Sequence, residues 1–100
     1  MEFGVITLGD NRPDPVTGRL RTAVEHHREG IELAEKAESL GFESFHIGEH
    51  HGCDYITSNP AVLLGAVAMR TERIRLSTAT DLLPVRDPVL MAEDYATVDV

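Results

Sequence analysis

Apolar residues along the chain alternate between two rhythms. "FGVITL", residues 3–8, is a short apolar run with β-branched members, closed by the turn formers of "GDNRPDP"; it predicts a strand followed by a loop. From Thr22 the spacing changes. Val24, His27, Ile31, Ala34, Ala37 and Leu40 recur at intervals of three and four, Leu33 widens the stripe, and Glu25, Glu29, Glu32, Glu35, Lys36 and Glu38 fall mostly on the other side. This predicts an amphipathic helix of about four or five turns, weakened by Gly30 and stopped by Gly41 in a left-handed conformation. "FESFHIGEH", residues 42–50, predicts a second strand with Phe45 and Ile47 on one face and His46, Gly48 and His50 on the other. "SNP" at 58–60 then caps a helix, "AVLLGAVAMR", that is apolar on nearly every side and should be covered all round. After a break at Thr71 and Glu72, "RIRLSTAT" at 73–80 predicts a third strand. Asp87 and Pro88 open a third helix, "VLMAEDYATVDV", which reaches Val100 without a stop signal.

Three strands alternating with three helices predict parallel βαβ units of the α/β class. Three parallel strands alone would leave two sheet edges open and one face uncovered. Gly48, Ser77 and Ala79, all small and all able to share one face, suit the crowded interior of a closed barrel. The expected architecture is therefore a (β/α)8 TIM barrel, with residues 1–100 as the amino-terminal part of that single domain, supplying about its first three βα units. No internal repeat or linker divides the chain. The loop at 9–21 is long for a βα connection, which usually takes about 2–6 residues; long loops at the carboxyl ends of barrel strands often build the active site.

Composition narrows the function classes. Over 100 residues, 42% apolar and 26% charged describe an ordinary folded chain. Nine basic against seventeen acidic residues give a net charge of -8, which would repel a phosphate backbone, so nucleic acid is not an expected partner. The longest apolar stretch, Ala61–Met69, falls well short of the roughly 20 residues of a membrane span. Glu2 precedes the first apolar run with no basic segment, unlike a secretory signal, so a cytoplasmic location is expected. The single cysteine, Cys53, cannot make an internal disulfide or a Cys-based zinc site and reads as a spare loop thiol.

The densest candidate chemistry is "HIGEHHGC", residues 46–53. Adjacent strand residues point to opposite faces, so His50 and His51 share an ion only if the chain turns sharply between them. His46 and His50 share a face but lie about 13 Å apart. No metal site is expected; a metal-dependent barrel hydrolase would require an ion held through His50 or His51. His50 alone, on the side of Gly48 where the strand enters its loop, would stand at a barrel mouth, able to give or take a proton near neutral pH. From position alone it reads equally as a hydrogen-bonded loop residue. His26 and His27 sit in the charged helix and read as surface or packing residues. No dinucleotide fingerprint, P-loop or Gly-x-Ser-x-Gly elbow occurs.

"GFESFHIGEHH" followed by "SNPAVLLGAVAMRTERIRLSTATDLLPVRDPVLMAEDYATVDV" resembles the amino-terminal part of the bacterial luciferase-like monooxygenases, as does the opening "LGDNRPDPVTGR". The resemblance implies a barrel, usually dimeric, that holds reduced FMN, or in a related branch a deazaflavin, at the carboxyl ends of its strands. It implies reaction with molecular oxygen and oxygen transfer to a small organic substrate, with a flavin reductase as a candidate partner. By the same resemblance His50 is the catalytic residue in the flavin pocket, stabilising or protonating the flavin peroxide, while His51 points elsewhere. A non-proline cis peptide would fall at Ala79–Thr80, where the flavin ring rests, and Leu8 and Gly9 would line the pocket wall. Glu93 and Asp94 would be structural, pairing with basic groups beyond residue 100. A deazaflavin-dependent hydride-transfer enzyme and a non-catalytic flavin-binding or dimerising relative are the alternatives. By itself a piece of this length would lack the strands that close the site and is expected to be inactive.

Overall fold

A computed structural model describes residues 1–52 and 54–100; the thiol of Cys53 lies outside the described residues. The elements follow the predicted order: β1 (Gly4–Thr7), α1 (Ala23–Ser39), β2 (Ser44–Ile47), α2 (Pro60–Ala68), β3 (Arg75–Thr78), a 3-10 turn (Leu83–Val85) and α3 (Pro88–Val98). The strands form one parallel sheet in the order β1-β2-β3, with Val5 beside Phe45 and Leu76, and Ile6 beside His46 and Ser77. Each strand is shorter than its apolar run. α3 runs to Val98, with Asp99 as its cap.

Strand alternation sorts the sheet into two faces. Phe45 and Ile47 are buried beneath α1 and α2 in a core completed by Ala34, Ala37, Leu64, Val67 and Ile74, with Val5, Leu76 and Tyr95 packed against it. Ala34 and Ala37 give α1 a narrow buried face, so the helix lies close to the sheet. Complete burial of a side chain such as Phe45 contributes about 1.5–3 kcal/mol. On the other face Ile6 and Ser77 are exposed and His46 is half-buried, its Nε2 2.9 Å from Ser44 Oγ. The expectation that α2 is covered all round is corrected: Ala61, Leu64 and Val67 are buried, but Val62 and Met69 are 70% and 84% exposed. α2 packs against α1, α3 and β3, and its outer side faces away from all three.

Local rules fix the ends of α1. Thr22 and Glu25 form a capping box: the Glu25 N–H donates to Thr22 Oγ1 at 3.2 Å and the Thr22 N–H to Glu25 Oε2 at 2.8 Å. At the other end Gly41 takes a φ of 82°, and the Gly41 and Phe42 N–H groups close on the carbonyls of Glu38 and Ala37. Glu38 then binds the turn into β3, its Oε1 accepting the N–H groups of Glu72, Arg73 and Ile74 at 2.9, 2.6 and 2.8 Å. Among the described residues no helix is long and apolar enough to cross a membrane.

Candidate active site at the carboxyl ends of the strands

Because the strands are parallel, their carboxyl ends bring Leu8 and Gly9, residues 48–51, and Ala79–Asp81 to one edge. Backbone bonds continue the ladder there: Gly48 N–H to Thr7 O and Ala79 N–H to Ile47 O, both 2.9 Å, and Glu49 N–H to Thr80 O at 3.0 Å. The long first loop closes over the second. Ile56 N–H donates to Gly9 O at 3.0 Å, Asn11 N–H to Asp54 O at 2.8 Å, and Asp10 pairs antiparallel with Tyr55. Gly9 is buried at φ +72°, and a Cβ there would lie 2.3 Å from Thr57 Oγ1. The close approach of the two loops therefore requires glycine. Gly48 leaves room for Leu8, whose Cδ2 would sit 2.9 Å from an added Cβ.

His50 is half-buried, its ring stacked on Tyr55 with centroids 4.2 Å apart and planes 21° apart, while its N–H donates to Thr57 O at 2.9 Å. His51 turns to another partner, its Nε2 2.6 Å from Glu49 Oε1. Leu8, Gly9, His50, Ala79 and Thr80 thus share one edge of the sheet. The cis bond implied at Ala79–Thr80 is corrected: the peptide is trans, as are all those described. His26 ties α1 to the first loop, its Nε2 3.0 Å from Asp10 O. Among the described residues no cluster of three or more His, Cys, Asp or Glu is arranged to hold a metal ion.

The main feature missed from the sequence is Glu49. It continues the alternation of Phe45 and Ile47, and that inward direction was the available signal. Its residue is 5% exposed. Oε2 accepts the Leu82 N–H at 2.7 Å, and the carboxylate meets that of Asp81. Asp81 in turn accepts from the Tyr95 hydroxyl and lies 3.5 Å from Arg86, which also binds Asp94 at 2.7 Å. The partner of Asp94 is therefore Arg86 within this chain, correcting the expectation of a group beyond residue 100: the turn ahead of α3 brings the guanidinium beside the helix. Two buried carboxyls in contact do not both ionise. Burial pushes Glu49 up, but the Leu82 amide, the Asp81 carboxyl and His51 together outweigh it and hold Glu49 below the usual carboxylate range. Burial, reinforced by the charge of Glu49, raises Asp81 despite Tyr95 and Arg86.

Comparison with known proteins identifies the family and the fold. The profile of the luciferase-like monooxygenases matches residues 1–100. Limonene 1,2-monooxygenase of Rhodococcus erythropolis is 39% identical over 70 residues, covering 69% of this chain and 18% of that protein. The monooxygenase RslO1 from Streptomyces bottropensis has the same fold, with a TM-score of 0.85 and 33% identity over 99% of this chain and 29% of its own. The oxygenating constituent of 3,6-diketocamphane monooxygenase from Pseudomonas putida, solved in complex with FMN, gives a TM-score of 0.84 and 30% identity over 98% of this chain and 26% of its own. The chain spans less than a third of the length of each of these relatives. With the parallel βα order, the Glu-His-His strand end and a matching profile over all its residues, this chain belongs to the luciferase-like monooxygenase family.

Proposed function

We propose that residues 1–100 are the amino-terminal part of a single (β/α)8 barrel domain of a flavin-dependent monooxygenase, which uses reduced FMN and molecular oxygen to oxygenate a small organic substrate. The observation that carries this reading is the meeting of His50 with Leu8, Gly9, Ala79 and Thr80 at one strand edge, in a fold shared with a monooxygenase structure that holds FMN. That same relative favours FMN over a deazaflavin. A flavin reductase as electron source and a homodimeric assembly belong to the same reading.

The residues present would suit a planar cofactor in one respect: Leu8, packed on Gly48 and 39% exposed, offers an apolar surface at this edge. Leu8, Gly9, Ala79 and Thr80 would hold the ring, and reduced FMN, when bound, would supply the electrons that activate oxygen. The chain's own contribution is to present His50. Its backbone is fixed through Thr57 and its ring is aligned by Tyr55, so one imidazole is held ready to give or take a proton. In the full-length protein His50→Ala should lower substrate oxygenation by about 10²–10⁴-fold, the usual range for loss of a general acid–base group. Unchanged turnover, with oxygen consumption still coupled to product, would refute the role. Titration with FMN, followed by flavin absorbance and fluorescence, tests the cofactor directly.

A further inference from the structure

Between β2 and α3 lies a polar chain, buried at its centre, that the reading above does not use: His51, Glu49, Asp81, Tyr95, Arg86 and Asp94. The side chains of Glu49 and Asp81 are 1% and 7% exposed. Glu49 grips the segment after β3 twice, its backbone N–H donating to Thr80 O at 3.0 Å and its Oε2 accepting from Leu82 N–H at 2.7 Å. Residues 80–82 are thereby bracketed by one residue of the neighbouring strand end. Asp81 lies inside the bracket, its Oδ1 buried without a hydrogen-bond partner among the described residues, and burial together with the neighbouring Glu49 raises its carboxyl above the usual range. The charged and titratable groups facing the pair are His51 from the second loop, Arg86 from the third, and Tyr95 with Asp94 from α3.

We propose that Glu49 is a positioning residue for the flavin seat: through Thr80 O and Leu82 N–H it fixes residues 80–82, directly after the Ala79–Thr80 peptide, at the sheet edge. This rests on reading Ala79 and Thr80 as that seat. Without the Glu49 carboxylate the Leu82 N–H loses its partner, and an unmet buried group of this kind carries a penalty that corresponds to about ten- to a hundredfold in binding. Gln at 49 keeps an acceptor for Leu82 but puts an amide N–H₂ where the second carboxylate oxygen stood.

The test is FMN titration of the full-length protein, with the visible circular dichroism of the bound flavin and hydrogen exchange at the Leu82 amide as readouts. We expect Glu49→Ala to weaken FMN about ten- to a hundredfold and alter the visible dichroism, and Glu49→Gln to recover part of the loss. Folded Glu49→Ala with unchanged FMN affinity and dichroism overturns the proposal. Should Glu49→Ala not fold, the proposal stands or falls on Glu49→Gln: it is overturned if the Gln variant binds FMN as tightly as the parent and protects the Leu82 amide equally. Absence of FMN binding by the unsubstituted protein overturns the cofactor reading itself, a result distinct from binding that ignores residue 49.

Discussion

Gly9→Ala tests how the first two loops are built onto the sheet. An added Cβ would stand 2.3 Å from Thr57 Oγ1 and 2.8 Å from Thr57 Cβ, on a residue held at φ +72°. A left-handed conformation costs an L-residue about 1–2 kcal/mol, and overpacking a closed contact costs about 1–3 kcal/mol. Alanine recovers about 0.4–1 kcal/mol by restricting the unfolded chain. The balance is a destabilisation of about 3 kcal/mol, or more than a hundredfold in a local opening equilibrium. The amides that report it are Ile56, bonded to Gly9 O, and His50, bonded to Thr57 O, so hydrogen exchange over residues 48–59 of the full-length protein is the assay. Thr57→Ala removes Oγ1, the nearer of the two atoms, but leaves the Cβ contact and the backbone strain. In that background the cost of Gly9→Ala should fall by about 1 kcal/mol or more, within the usual range of coupling between touching residues. Equal costs in both backgrounds would refute the steric argument.

Phe45→Ala removes the largest fully buried side chain of the core and should cost about 3–5 kcal/mol, read as a lowered unfolding midpoint; a loss under about 1 kcal/mol would contradict the core assignment. Glu38→Gln should lower the melting temperature at pH 7. The Arg73, Ile74 and Glu72 amides hold the Glu38 carboxyl below the usual glutamate range, so its contribution is complete above the unfolded value of about 4.3 and disappears as pH falls through the depressed folded value. The gap between parent and variant should therefore close in acid, and a gap independent of pH would refute the clamp.

Element order, helix direction and the buried face of β2 were legible in the chain because they depend on periodicity: residues two apart on a strand, or three and four apart on a helix, share a neighbour whatever lies beyond. Phe45, Ile47, Ala34 and Ala37 follow that rule, and Gly41 and Asp87 end or begin helices through bonds to their own neighbours. The "TAVE" capping box was written locally too, in Thr22 and Glu25. What only tertiary structure decided is which distant groups meet at the strand edge. The pairing of Asp10 with Tyr55 uses backbone atoms that every residue carries, so no residue type announces it. Glu49 and Asp81 meet because parallel pairing aligns the ends of β2 and β3, and Arg86 turns to Asp94 because the short turn before α3 folds it back. A buried carboxylate in a sequence looks like any exposed one; its charge, its partners and its hold on residues 80–82 exist only once the two strand ends are side by side.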